Sequence, residues 1–159
     1  MTTVHAYTSD QRLLDHSHSD LRRARAAALS IIPTSTGAAK SIALVIPELK
    51  GKLDGYAVRV PTSNVSMVDL SVTFPRDVSI SEINHAMRKA SMESLSGILG
   101  YADEELVSID YNGSTYSSIY DSSLTNVIGN TAKIVSWYDN ESGFSNRVIN
   151  LTELIASKL

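Results

Sequence analysis

The chain has no cysteine, so no disulfide scaffold, no thiolate metal site and no cysteine nucleophile can arise within its 159 residues. Long hydrophobic runs are also missing. The longest apolar stretch, Ile42 to Ile46, stops at Pro47, far short of a membrane span. Charge of one sign is not in excess: the net charge is −3, which gives no nucleic-acid footprint and no membrane-binding face. No signal peptide is evident. Together with the lack of thiols, this leads us to expect a cytoplasmic protein with no metal. Asn-x-Ser/Thr triplets such as Asn64-Val65-Ser66 carry little weight without a secretory signal.

What is present suits one domain of ordinary soluble composition. A chain of this size buries about 70% of the surface it exposes when unfolded. Met1 to Tyr7 is β-branched and aromatic, and reads as a strand entered in mid-structure. Thr8 to Asp20 is polar and reads as a long surface loop. Leu21 to Leu29 is basic and alanine-rich, which predicts a short helix broken by Pro33. Ala38 to Leu44 predicts another helix. Tyr56 to Val60 alternates, with Tyr56, Val58 and Val60 on one face and Ala57 and Arg59 on the other. Ser66 to Phe74 alternates too, with Val68, Leu70, Val72 and Phe74 toward the core. Ser79 and Glu82 form a capping box for a helix running to about Glu93. Strands are predicted over Leu106–Tyr111, Ser117–Tyr120 and Ala132–Tyr138. A final helix carries the stripe Val148, Leu151, Ile155 and Leu159. The expected fold is α+β: a mostly antiparallel or mixed sheet with helices packed on one face.

Several residues could carry chemistry, each with a plainer alternative. Thr34-Ser35-Thr36-Gly37 precedes a helix whose free N–H groups would suit an anion, but an ordinary N-cap fits the same pattern. Arg59 could grip a phosphate bidentately or be a solvated charge on an outer sheet face. His5 could act as a general acid or base, or as a structural strand histidine. Asp139-Asn140-Glu141-Ser142-Gly143 could present the Asn140 amide to a ligand, or be an Asx turn. His16 and His18 lack a third metal ligand nearby, which favours a solvated loop.

Longer stretches are more specific in combination. Thr2-Thr3-Val4-His5-Ala6-Tyr7-Thr8, Asp20-Leu21-Arg22-Arg23-Ala24-Arg25-Ala26-Ala27, Ile32-Pro33-Thr34-Ser35-Thr36-Gly37-Ala38-Ala39-Lys40, Leu49-Lys50-Gly51-Lys52-Leu53, Arg59-Val60-Pro61-Thr62 and Ser136-Trp137-Tyr138-Asp139-Asn140-Glu141 resemble, in sequence and order, the glyceraldehyde-3-phosphate dehydrogenase family. The resemblance covers essentially the whole chain. It implies that residues 1–159 form the catalytic, substrate-binding domain of that family.

The resemblance also implies roles. In the family a cysteine attacks the aldehyde, hydride passes to the nicotinamide of NAD or NADP, and inorganic phosphate cleaves the thioester. His5 matches the histidine that polarises the cysteine. Thr8 and Arg59 match residues that hold the phosphate of glyceraldehyde 3-phosphate, and Thr36 and Gly37 those that hold the attacking phosphate. Asn140 matches the residue that orients the nicotinamide carboxamide. Tyr7 to about Arg25 matches an S-shaped loop near cofactor and subunit interfaces, and the family assembles as a homotetramer. The family's Ser-Cys-Thr-Thr-Asn motif and its Rossmann half lie upstream of His5 and are not in this chain. Isolated, the chain is therefore expected to be inactive.

Ser142 stands where the family usually has tryptophan, and Phe144 where it often has tyrosine. The loop has His16-Ser17 where strictly NAD-using relatives usually have Leu-Pro, a change that eases access for the 2′-phosphate of NADP. Two further readings are a non-catalytic assembly or interaction module that retains the domain, and a fragment of an erythrose-4-phosphate dehydrogenase.

Overall fold

The computed structural model describes residues 1–159, apart from the side chains of Ala39 and Lys40. Seven strands form one mixed sheet: β1 (Thr2–Ala6), β2 (Ile32–Thr34), β3 (Tyr56–Val60), β4 (Ser66–Thr73), β5 (Leu99–Ala102), β6 (Ser118–Ile128) and β7 (Thr131–Tyr138). The order across the sheet is β2-β3-β1-β4-β7-β6-β5. β1 pairs parallel with β3, and β5 with β6; the other pairings are antiparallel. Parallel neighbours cannot be joined by a tight hairpin, so each needs a crossover. The β1–β3 crossover carries the long loop, β2 and helix α1 (Ala38–Val45).

Helix α2 (Ile80–Met92) starts at the predicted box. Glu82 N–H donates to Ser79 Oγ at 3.2 Å, and Ser79 N–H donates to Glu82 Oε2 at 2.8 Å. Two donors that helix geometry leaves unpaired are thereby satisfied. The helix lays Ile83, Met87 and Ala90 against Leu99, Tyr120, Ala132 and Ile134. On the opposite face of the same strands, Val65, Ala102, Ile119 and Tyr111 form a second cluster, and the Tyr111 and Trp137 rings stack at 5.5 Å. Helix α3 (Ser142–Ala156) closes the chain.

Two expected elements take other forms. Leu21–Leu29 is a series of turns rather than a helix. Asp15 draws in the Ala26 N–H at 2.8 Å, and the Ala27 N–H donates to the Arg12 carbonyl at 2.9 Å. Those ties to residues upstream outweigh the modest helix propensity of alanine. Leu106–Tyr111 is not a strand: Ser108–Tyr111 forms a 3-10 turn, with the Asp110 carboxylate accepting from Val107 N–H at 2.8 Å. The sheet gains β5 and β2 beyond the expected strands. Pro33 fits in β2 because that strand lies at the sheet edge, where a missing N–H leaves no partner unpaired.

Candidate active site

The register of β1 against β3 sets His5 beside Arg59, and that of β4 against β7 sets Ser66 beside Tyr138. Thr3 pairs with Val68, so β1's His5 points to the same face as Ser66 and Tyr138. The His5 and Tyr138 rings meet edge-on, 6.1 Å apart. The alternation seen in β3 is thus inverted in meaning. Ala57 is buried and Arg59 half-buried, while Tyr56 on the more apolar face is exposed.

His5 lies at the centre of a small polar cluster. Its Nδ1 is 2.6 Å from the Ala6 carbonyl and 2.6 Å from Arg59 Nη1. Arg59 Nη1 also donates to that carbonyl at 3.0 Å. Asn140 Nδ2 stands 3.2 Å from each ring nitrogen. Burial pushes the His5 imidazole below its ordinary range; the Ala6 carbonyl opposes this and the Arg59 charge adds to it. The ring is therefore held neutral near neutral pH, the form a general base requires. Burial also lowers Arg59, and the Arg23 charge lowers it further.

Ser66 and Val65, which no local pattern flagged, hold this cluster in place together with the Asx turn read at Asp139–Gly143. Ser66 is 1% exposed; its hydroxyl donates to Asn140 Oδ1 at 3.0 Å and accepts from Ala6 N–H at 3.1 Å. Just before it, Val65 has φ +65°, a left-handed conformation that strains a β-branched residue. Asp139 is buried and accepts four hydrogen bonds. Oδ1 takes the Glu141 and Ser142 N–H groups at 2.8 Å each, and Oδ2 takes Gly113 N–H at 2.8 Å and Asn64 Nδ2 at 2.7 Å. Burial would raise its carboxyl, but these donors outweigh burial and hold it at about 2. Gly143 completes the turn: a Cβ there would come 2.6 Å from the Tyr116 carbonyl oxygen, so glycine alone lets α3 start so close. The Ser142 backbone thus ties into Asp139, while Ser66 anchors Asn140 independently of the side chain at 142.

The remaining expected residues lie around this centre. Thr8 sits two residues past β1, and its N–H donates to Gln11 Oε1 at 3.2 Å. Thr36 and Gly37 precede α1, where Thr36 Oγ1 accepts from Ala38 N–H at 3.2 Å. The β1–β3 and β2–β3 registers set Thr8 and Thr36 toward opposite ends of β3, two separate positions rather than one. Gly37 has φ −84°, and a Cβ would meet nothing within 4 Å, so the fold itself places no demand for glycine there. Arg23 pins the buried Thr34 hydroxyl (Nε to Oγ1 2.7 Å) and pairs with Asp10 at 2.5 Å. Phe144 is exposed on α3, and Ser17 lies on the open loop with its hydroxyl 3.2 Å from His16 Nδ1. Asn140's oxygen is fixed by Ser66, which turns its Nδ2, a donor, toward the His5 ring. Among the described residues no group of three or more His, Asp or Glu is arranged to hold a metal ion, and no helix is long and apolar enough to cross a membrane.

Comparison with known proteins agrees with this geometry. The family described as glyceraldehyde 3-phosphate dehydrogenase, C-terminal domain, matches residues 1–140. The chain is 62% identical over 159 residues to glyceraldehyde-3-phosphate dehydrogenase of Geobacillus stearothermophilus, covering 99% of this chain and 48% of that protein. It is 60% identical to glyceraldehyde-3-phosphate dehydrogenase 1 of Bacillus cereus, with coverage of 99% and 48%. It is 58% identical to the Mycobacterium leprae enzyme, with coverage of 100% and 47%. The chain spans about half the length of the curated relatives it matches. With a family match over most of its residues and the seven-stranded mixed sheet, this chain belongs to the glyceraldehyde-3-phosphate dehydrogenase family and corresponds to its C-terminal domain.

Proposed function

We propose that the chain supplies the substrate-binding and acid–base half of a phosphorylating glyceraldehyde-3-phosphate dehydrogenase. The reaction oxidises glyceraldehyde 3-phosphate with NAD or NADP and inorganic phosphate to 1,3-bisphosphoglycerate. The observation that carries this reading is the cluster of His5, Arg59 and Asn140 around one half-buried, neutral imidazole. A neutral ring can take a proton from a thiol or a hemithioacetal hydroxyl. Arg59 offers a cation for the substrate phosphate, and Thr8, two residues past β1, a hydroxyl. Thr36 and Gly37 offer a hydroxyl and an open backbone for the attacking phosphate. The glycine supports this: the fold does not need it, whereas close approach of an anion to bare backbone does.

The bound cofactor supplies hydride acceptance. This chain's part is to orient the carboxamide through Asn140 and to shape the cofactor's surroundings with Phe144 and Ser17. The chain has no thiol, so by itself it forms no acyl intermediate and is inactive. Assembly as a homotetramer in the cytoplasm completes the reading. An assembly module without catalytic function would have no use for Thr8, Thr36, Gly37, His5 and Arg59 together.

The test is reconstitution. Phosphate-dependent NADH or NADPH formation from glyceraldehyde 3-phosphate is followed for the chain alone and for the chain joined to a cysteine-bearing nucleotide-binding half. Turnover only in the joined protein, lost with His5→Asn, supports the proposal. Turnover by the chain alone, or a preference for erythrose 4-phosphate in the joined protein, overturns it.

A further inference from the structure

Most of the segment from Thr8 to Asp20 lies open to water. Only Gln11 is buried there, at 7% exposure, and it is polar. A glutamine is costly to bury. It gives up the rotamer freedom of a long side chain, and here its Nε2 has no hydrogen-bond partner among the described residues. What its burial provides is one acceptor, set against the residue that opens the loop. Gln11 Oε1 accepts from Thr8 N–H at 3.2 Å, while Gln11 N–H donates to the Thr8 carbonyl at 2.9 Å. The first bond settles the orientation of the amide, because only its oxygen can accept from an N–H.

We propose that Gln11 is a positioning residue for the phosphate of the substrate: it holds Thr8 in the backbone conformation that aims its hydroxyl at the anion, and it touches no reactant itself. The inference rests on the reading of Thr8 and Arg59 as ligands of that phosphate.

The surroundings favour this role. The two bonds run in opposite directions between the same two residues, and they occupy both backbone groups of Thr8. That fixes φ and ψ of Thr8, and a β-branched side chain on a fixed backbone has few χ1 choices. The direction of the hydroxyl therefore follows from Gln11. Thr8 itself is half-buried, within reach of a small ligand. Just upstream, Tyr7 N–H donates to the Thr62 carbonyl at 3.0 Å, which ties the start of the loop to the end of β3, the strand that carries Arg59. Asp10, in the same turn, has a different task, since its carboxylate pairs with Arg23 and His18. Gln11 is the side chain that reaches back to Thr8. If it were only a former of the turn, its loss would act on stability; as a positioning residue, its loss acts on affinity for one group of one substrate.

The test uses the joined protein of the reconstitution assay. Gln11→Met keeps the length of the side chain and removes the acceptor together with the unpaired donor, so the thermal midpoint should hardly move. The KM for glyceraldehyde 3-phosphate should rise about tenfold, as for one lost hydrogen bond to a charged group, with kcat within about twofold. The KM for inorganic phosphate and kcat/KM for unphosphorylated glyceraldehyde should stay as they are, because neither draws on Thr8. Thr8→Val should raise the same KM, and Gln11→Met added to it should raise it no further, since a residue that acts through Thr8 then has nothing left to position. Amide hydrogen exchange gives a readout apart from turnover: the Thr8 N–H should exchange slowly in the unsubstituted protein and much faster in Gln11→Met, with the amides of β1 unchanged. Additive rises in the double variant, an equal loss with unphosphorylated glyceraldehyde, or a change confined to the thermal midpoint overturns the positioning role. If Thr8→Val raises the KM and Gln11→Met does not, Gln11 fails while the reading of Thr8 stands. If Thr8→Val leaves the KM unmoved, the phosphate reading of Thr8 is itself overturned. Should Gln11→Met not fold, Gln11→Asn, which keeps the amide but falls one methylene short of the Thr8 N–H, takes its place with the same expectations.

Discussion

The two ends of the sheet are built on different principles. At the β5–β6–β7 end both faces are covered, one by α2 and the other by the segment around Tyr111, with Tyr120 and Ala132 wholly buried between them. Polar groups sunk deep there are bonded in their turn, the Tyr120 hydroxyl to Asn84 and Thr125, and the Asp121 carboxylate as acceptor from Trp137 Nε1 and the Ser123 hydroxyl. At the β2–β3–β1 end the order comes from hydrogen bonds: Arg23 to Thr34, Arg59 to His5, Ser66 to Asn140. Its loop leaves Leu13, Leu14, Leu21, Leu29 and Ile31 between 68% and 82% exposed. Apolar side chains gathered on an open surface mark contact regions more often than finished surface. One end is thus built for stability and the other, on the proposed function, for chemistry, which separates the effects expected of substitutions at each.

The largest effect belongs to the polar end and to activity. In the reconstituted enzyme, His5→Asn should lower turnover by about 10²- to 10⁴-fold, the usual contribution of a positioned general base. Its thermal midpoint should hardly move, because His5 contributes little buried apolar surface. Steady-state kinetics beside calorimetry would check this, and a large loss of stability with activity retained would reverse the assignment of the two ends.

Next comes the packed end. Ile83→Ala removes a buried side chain from the α2 cluster and should cost about 2–4 kcal/mol in urea denaturation. Leu21→Ser, on the open loop, should stay within about 0.5 kcal/mol in the chain studied alone. Similar losses at both positions would mean that the loop end carries a core of its own.

Asp139 joins the ends, and its effect depends on pH. Its folded carboxyl is held at about 2, below the ordinary value near 4 of an unfolded chain. Its contribution is therefore fully present above about pH 4 and disappears as pH falls through about 2, roughly 2 kcal/mol in all. Denaturation measured from pH 5 to pH 2 should show that slope, and Asp139→Asn should flatten it. An unchanged slope in the variant would assign acid sensitivity to other carboxylates.

The same division explains what the sequence revealed. Tyr56–Val60 was bounded correctly and the Ser79–Glu82 box opened α2 where expected, because strand alternation and capping are local. The expected helix over Leu21–Leu29 failed because Asp15 and Arg12, upstream, take its backbone groups. β5 escaped notice because Leu99-Gly100-Tyr101-Ala102 is too short for a period to show. His5, Thr8, Thr36, Arg59 and Asn140 are singled out by the family resemblance, their local signals being weak. Ser66 and Arg23 were not found at all. Ser66's partner is 74 residues away, a distance at which spacing carries no signal.

The smallest expected effect lies on the open loop and concerns cofactor choice. Ser17 is exposed; its carbonyl accepts from Arg12 Nε at 3.0 Å and its hydroxyl lies 3.2 Å from His16 Nδ1. Proline at position 17 removes the hydroxyl and fixes φ but keeps the carbonyl, so the Arg12 bond survives and stability should change by less than about 0.5 kcal/mol. If this loop helps admit the 2′-phosphate of NADP, the hydroxyl is a donor lost and the ring a bulk gained, both against NADP. One hydrogen bond to a charged group is worth about 1.5–3 kcal/mol where it is buried, but Ser17 is open to water. A ribose-binding acid in the joined nucleotide half would share the selection. Ser17→Pro should therefore shift the ratio of kcat/KM for NAD over NADP upward by less than about tenfold, or under 1.4 kcal/mol. Paired kinetics with the two cofactors in the reconstituted enzyme would read that ratio. A ratio that does not move would assign the choice to the nucleotide half alone, leaving the loop to subunit contact.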